Sequence, residues 1–332
     1  MLPKDVLFRF GLLSDIQYAD MESASNFSGS ELRHYRDSAA HAAETIRGWR
    51  SLDAPPSFIA QLGDLIDGQN AGEYGQGLKL EAPQSEAALR VALEAWRDCE
   101  IPTYHAIGNH ELYNFTWARL SEALNSEHLG ASHRVSDPEQ QRFYFSWQPA
   151  AHWRAIMLCC YEENVIRPRT PQLGARAESI LRAHNPNYGQ AGAYNFFEGL
   201  TPPKQRYVPF NAGLGAEQLA WLQGELSDAR RAGDRVLVMG HLPLYAPAAS
   251  PRNVAFDADE ALEVLQTAGC VSAYFAGHRH GGGYARDASG IHHVTVQAPL
   301  THGLCAALVD VSAGCISVHG EGAHHSYQLS LS

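Results

Sequence analysis

The sequence predicts one α/β domain made of two layers of sheet with helices outside. Three observations carry this reading. Strand and helix patterns alternate through the first third and again after residue 215. The middle and the tail add further strands that no helix separates. No internal repeat, low-complexity tract or clear linker divides the 332 residues, so 1–332 reads as a single domain.

The elements follow in order. Residues 7–14 are mostly apolar and end at Asp15, the pattern of a buried strand. A polar loop occupies 19–26, and 31–49 reads as a helix with Ser30 as its N-cap. Residues 57–62 form a second strand ending at Gly63-Asp64. Residues 84–99 have helical period, and 102–107 form a third strand ending at Gly108-Asn109-His110-Glu111. This order implies parallel strands joined by crossover helices. Residues 142–147 and 153–161 read as two adjacent strands, and 175–184 as a helix. No period holds at about 185–213, where prolines mix with aromatic residues. A loop of that length in a compact domain is functional or disordered, and its aromatics argue against disorder. The alternation returns with a helix at 216–232, a strand at 235–239 ending at Gly240-His241, and a helix at 257–268. A strand at 271–276 then ends at Gly277-His278-Arg279-His280. The tail, 292–331, alternates in short strands with turns at 313–314 and 320–321.

Composition narrows the function classes. Lys+Arg 25 against Asp+Glu 36 gives a net charge of −11, which disfavours nucleic-acid backbones and anionic lipid as partners. No apolar run approaches the ~20 residues of a membrane span. Lys4, Asp5 and Arg9 interrupt any secretory signal core at the N-terminus. The six cysteines contain no CxxC pair and read as reduced thiols of a cytoplasmic protein. The chain is expected to act as a monomer on a small-molecule substrate.

Five of these strands end in side chains able to hold a metal: Asp15 with Gln17, Asp64, Asn109 with His110, His241, and His278 with His280. Ligand sites in α/β sheets form at the carboxyl ends of strands. Taken singly, an Asp there is usually a cap or turn residue, and a core histidine is usually just hydrogen-bonded. The ordered set is the signal. Carboxylate, amide and imidazole with no thiolate suit Mn2+, Fe2+, Mg2+ or Zn2+. One ion cannot use so many groups, whereas two ions about 3.5–4 Å apart with a shared carboxylate can.

The order Asp-x-Gln, Gly-Asp, Gly-Asn-His-Glu, Gly-His, Gly-His-x-His resembles that of the calcineurin-like metallophosphoesterases. The resemblance implies a four-layer α/β-β/α sandwich, two mixed sheets flanked by helices, around a dimetal centre. It implies that Asp15, Gln17, Asp64 and His280 hold one ion, and that Asp64, Asn109, His241 and His278 hold the other. It also makes His110 the catalytic residue that stabilises the transition state or protonates the leaving oxygen. Glu111 is expected to orient His110.

Gln17 departs from the family pattern, which has histidine there. An amide oxygen is a weaker and harder ligand, so looser binding and a preference for Mn2+ are expected. The stretches DIQYAD, NFSGSELRHYRDS, HNPN, PFNAGLGAEQLAWL and GHRHGGGYARDASGIHHV resemble the manganese-dependent ADP-ribose/CDP-alcohol diphosphatases. That likeness implies hydrolysis of the diphosphate bond in ADP-ribose, CDP-choline and related nucleoside diphosphate conjugates, by a hydroxide held between the two ions. Arg33, Arg36 and Arg279 are candidates for the diphosphate, with Arg33 and Arg36 three apart on the expected helix. Phe27, Phe196 and Tyr207 are candidates for stacking on a base. The paired histidines 292–293 and 324–325 are left as structural. Two alternatives compete: a cyclic-nucleotide or glycerophosphodiester phosphodiesterase of the same fold, and an inactive phosphoesterase-fold scaffold.

Overall fold

The computed structural model describes residues 3–26, 29–72, 83–125, 133–137, 139–140, 142–190 and 195–331. The chain begins with β1 (Val6–Leu13), a small hairpin β2 (Ala24–Ser25) and β3 (Leu32–Arg33), α1 (Ser38–Arg50) and β4 (Phe58–Gln61). Next come α2 (Ser85–Leu93), β5 (Thr103–His105), α3 (Asn109–Asn114), α4 (Trp117–Leu124) and β6 (His133–Arg134). The middle supplies β7 (Phe145–Ala150), β8 (Trp153–Met157) and α5 (Pro171–His184), then α6 (Gly215–Ala232), β9 (Arg235–Met239), α7 (Ala258–Ala268) and β10 (Val271–Ala276). The tail carries β11 (Gly281–Arg286), β12 (His292–Gln297), α8 (Pro299–His302), β13 (Cys305–Ser312), β14 (Cys315–Gly322) and β15 (Tyr327–Ser330).

Two sheets result. One runs β15-β14-β13-β1-β4-β5-β6, and the other β11-β12-β10-β9-β8-β7. β1, β4, β5 and β6 are parallel, as are β8, β9, β10 and β12, while β13, β7 and β11 add antiparallel. Strand period decides the layering. Phe8, Phe10 and Leu12 of β1 point between the sheets, where they meet Trp153, Leu237, Met239, Phe275 and Val294 of the other sheet. Phe10 and Phe275 pack edge to face across this layer, 5.8 Å between centroids. Ile46 and Trp49 of α1 and Leu89 of α2 cover the outside of one sheet. Leu222 and Leu226 of α6 and Leu265 of α7 cover the other. The layers are therefore helix, sheet, sheet, helix, the four-layer α/β sandwich expected.

Several local expectations need correction. The first helix begins at Ser38, not at residue 31. Asn26 Oδ1 accepts the backbone N–H groups of Ser30 and Glu31 (2.9 and 3.3 Å), a side-chain competitor that favours the β2–β3 hairpin over helix. Arg33 therefore lies in β3 and Arg36 in the following turn, on no common helix. The turn expected at 320–321 falls inside β14. The stretch at 185–213 holds one 3₁₀ turn, Pro202–Arg206, among its described residues.

Candidate metal centre

The carboxyl ends of β1, β4, β5, β9 and β10 meet at one edge of the sandwich. The backbone there is strained. Asp15, Gln17, Asp64 and His278 all have left-handed backbones, with φ of 53, 44, 60 and 66°. Each such conformation costs on the order of 1 kcal/mol, and strain of this kind collects at functional sites. Two glycines allow the crowding. A Cβ on Gly108 would lie 2.0 Å from Asp64 Oδ1, and one on Gly277 would lie 1.9 Å from Ser14 Oγ. Backbone packed this close admits no side chain.

Asp64 stands at the middle, fully buried. Its Oδ1 accepts the His110 backbone N–H at 2.9 Å. Its Oδ2 lies 3.3 Å from His241 Nε2 and 3.0 Å from Gln17 Nε2. On one side, Gln17 Nε2 also lies 3.3 Å from Asp15 Oδ1 and 3.0 Å from His280 Nε2. A nitrogen thus occupies the meeting point of three acceptors. Gln17 Oε1 is buried without a hydrogen-bond partner. Turning the amide half a revolution would place that oxygen among the same atoms, the orientation a cation favours. Asp15 is fixed by Ser14 Oγ (2.5 Å) and the His278 backbone N–H (2.9 Å).

On the other side, one atom each of Asp64, His241 and His278 lie within 4.8 Å of one another. His241 Nδ1 donates to the Leu62 carbonyl at 2.6 Å, which leaves Nε2 to face the cluster. That Nε2 is 3.2 Å from His278 Nδ1. Asn109 opens α3, and its Oδ1 accepts from Tyr161 Oη at 3.1 Å. Buried oxygen and nitrogen acceptors facing each other without a sulfur suit a divalent cation of the Mn2+ or Mg2+ type.

The electrostatics agree. Burial raises Asp15 to about 6, opposed by His241 and reinforced by the neighbouring Asp64 charge. Asp64 stays well below the usual carboxylate range: burial alone would raise it, but His241 and His110 outweigh that. His241 is pushed up to about 9, because Asp64 and Asp15 overcome the opposing effect of burial. Burial lowers His278 to about 3, with the His241 charge adding to the effect, and takes His280 well below its ordinary value.

His110 sits beside this cluster, its Nε2 3.9 Å from Asp64 Oδ2. Its Nδ1 accepts the Gly68 N–H at 2.7 Å and lies 3.3 Å from Asp67 Oδ2. Glu111 does not orient it, contrary to expectation. Glu111 instead accepts the backbone N–H groups of Asp64 (2.8 Å), Leu65 (2.6 Å) and Gly108 (2.8 Å). It ties the β4 and β5 ends together and caps α3. Burial first, then the nearby Asp64 charge, raises it to about 7. The carboxylate beside His110 is Asp67, three residues after Asp64, which sequence reasoning missed.

The calcineurin-like phosphoesterase family model matches residues 8–282. The chain belongs to that family. Within it, manganese-dependent ADP-ribose/CDP-alcohol diphosphatases of Bos taurus and Mus musculus are each 35% identical over 297 residues, covering 88% of this chain and 83% of theirs. A dimetal phosphatase from Danio rerio superposes with a TM-score of 0.87 at 28% identity, covering 99% of this chain and all of that one.

The substrate-side candidates of this phosphoesterase scatter more than its metal-binding candidates. Phe27 lies outside the described residues. Arg33 Nη1 reaches to 3.9 Å from Asp67 Oδ2, beside the centre. Arg36 is exposed and bonded to Asp20 and Glu22 at 2.7 and 2.6 Å, an arrangement that holds it on the surface. Arg279 donates to the Gly282 carbonyl, a turn-closing contact. Tyr207 stacks on His184 at 4.3 Å and leans on Phe256, so it pins its loop to α5 and to the segment before α7. The Phe196 carbonyl accepts from Asn185 and Asn187 within the same loop. In the loop, Phe210 lies 6.4 Å from His278, and Phe197 lies 6.1 Å from Phe210.

Proposed function

We propose that this chain is a manganese-dependent diphosphatase of ADP-ribose and CDP-alcohols. The observation that carries the reading is the convergence of Asp15, Gln17, Asp64, His241, His278 and His280 at one edge, in a chain 35% identical to diphosphatases of that name. We infer that Asp15, Gln17, Asp64 and His280 hold one ion, and that Asp64, Asn109, His241 and His278 hold the other. Two divalent ions there supply an activated water and offset charge on the phosphoryl oxygens.

The chain's own residues do the rest. Hydrolysis breaks one bridging P–O bond: water gives its hydroxyl to one phosphorus, and the proton goes to the departing phosphate. ADP-ribose then yields AMP and ribose 5-phosphate. With Nδ1 accepting from Gly68, the His110 ring carries a proton on Nε2, the atom directed to the centre. That proton is placed to hydrogen-bond the developing charge. Arg33 is the guanidinium positioned for the second phosphate. The leaving phosphate has low basicity, so a strong general acid is not required.

Supporting observations bear on the setting. The six cysteines are free, which supports a cytoplasmic placement. No described helix is long and apolar enough to cross a membrane. The exposed large apolar side chains among the described residues, Leu7, Leu32, Leu52, Val91 and Tyr284, lie on different segments, which supports a monomer.

The test strips the protein with chelator, restores Mn2+, Mg2+ or Zn2+, and resolves products from ADP-ribose, CDP-choline and a 2′,3′-cyclic nucleotide. AMP and ribose 5-phosphate formed with Mn2+ is the expected result. Turnover of the cyclic nucleotide alone would overturn the substrate class. No turnover with any metal would favour a scaffold.

A further inference from the structure

Asn211, near the end of the long loop, touches the centre in a way its role as a loop residue does not require. It is fully buried. Its Nδ2 donates to three backbone carbonyls: Arg206 at 2.9 Å, Arg252 at 2.8 Å and Val254 at 3.4 Å. A carbonyl only accepts, so the amide orientation is fixed. Flipping it would set an oxygen against three oxygens. Asn211 Oδ1 therefore faces His278 Nε2, 3.0 Å away, as an acceptor. His278 must then carry its proton on Nε2. Its Nδ1 is left bare, 3.2 Å from His241 Nε2 and within the Asp64–His241–His278 cluster.

The preceding residue makes a matching contact. The Phe210 carbonyl lies 3.1 Å from Tyr161 Oη, which lies 3.1 Å from Asn109 Oδ1. Two consecutive loop residues thus reach His278 and Asn109, both assigned above to the same ion, the second one.

We propose that Asn211 is a positioning residue for the second metal ion. It fixes His278 in the tautomer that presents Nδ1, and thereby couples the end of the 185–213 loop to that ion. This rests on the ligand assignment under the proposed function and adds a residue outside the motif strands to it. Residues that orient a metal-binding imidazole commonly change metal affinity by about 10–100-fold when removed.

The test compares Asn211→Leu with Asn211→Asp in the full chain. Both variants lose donation to the three carbonyls, so loop damage is common to both. Only Asn211→Asp keeps an acceptor for His278. Mn2+ is titrated into each metal-free protein, and free ion is read from its six-line EPR signal. The expected result is two ions bound by wild type, with the weaker binding step in Asn211→Leu at least tenfold weaker than in Asn211→Asp. Equal binding by the two variants would overturn the proposal. A second measurement needs no Asn211 variant. Two-bond 1H–15N spectra of [15N]His-labelled wild type, with His278 assigned by its loss in His278→Gln, should show a protonated Nε2. A proton on Nδ1 would overturn the proposal whatever the variants do. Neither readout uses turnover, so failure of the diphosphatase reading would be seen separately, in the ADP-ribose assay.

Discussion

Proton competition at His241 should control how tightly Mn2+ binds. His241 Nδ1 is committed to the Leu62 carbonyl, so only Nε2 can meet an ion. Burial by itself would lower the ring's pKa, but Asp64, 3.3 Å from Nε2, and Asp15 push it up to about 9. Below that value the metal-free protein holds a proton where the ion needs a lone pair. At pH 7 the deficit is about two pH units, roughly a 100-fold loss of apparent affinity or about 2.7 kcal/mol. Glu111 titrates near 7 and Asp15 near 6, so the window from pH 8 to 9 isolates His241. The assay is anaerobic Mn2+ titration at pH 7, 8 and 9 and constant ionic strength, with calorimetry in two buffers to count protons released. The dissociation constant of the histidine-rich ion should fall about tenfold from pH 7 to 8 and about fivefold from pH 8 to 9, with close to one proton displaced at pH 8. The linkage has a matching stability signature. A raised folded-state pKa stabilises the metal-free fold fully below the unfolded value near 6.5, and this contribution is lost as pH rises through about 9. The gap in Tm between Mn2+-loaded and metal-free protein should therefore widen from pH 7 to 9. Affinity independent of pH across this range would refute the reasoning, because it would mean that Asp64 does not hold a proton on His241.

Other perturbations have definite outcomes. Gln17→His replaces the amide among Asp15, Asp64 and His280 with an imidazole. It should raise the metal retained through purification and shift activity from Mn2+ towards Zn2+, and unchanged metal content would reject the ligand role. His110→Ala should lower kcat by about 100-fold or more with both ions retained; parallel loss of metal would make the residue structural. Glu111→Ala leaves three buried backbone N–H groups without their acceptor and should destabilise the metal-free protein by about 3 kcal/mol or more in urea unfolding. Glu111→Gln, which keeps one acceptor oxygen, should cost less.

The parts of the fold legible in sequence are those where burial and period agree. β9 and β10 occupy the residues read for them, because short, mostly apolar runs between turn signals suit strands with both faces covered. The start of α1 was not legible. The 31–37 stretch has helical composition, and it is Asn26, several residues upstream, whose side chain captures the competing backbone donors. α4 and β11 carry weaker signals. The expected helix at 84–99 ends early in a 3₁₀ turn at Glu94–Trp96.

The same division holds at the site. Groups carried on strand ends were legible, because a parallel sheet brings all its carboxyl ends to one edge. Groups brought in by tertiary contact were not: Tyr161 and Asn211 reach the centre from outside the five metal-binding strand ends. The His110 partner shows why adjacency misleads. His110 and Glu111 are consecutive on α3, and consecutive helical side chains diverge instead of facing each other. If His110 faces the centre, Glu111 must turn away from it, and it turns into the β4 and β5 ends, where backbone donors await an acceptor. The groups that meet His110 Nδ1 come from a different segment. Asp67 follows Asp64 by three residues, and the 3₁₀ turn that opens after it returns the chain beneath the imidazole. The spacing Gly-Asp-x-x-Asp, and not the residue next to His110 in sequence, therefore places the carboxylate beside the imidazole and the Gly68 N–H that its Nδ1 accepts.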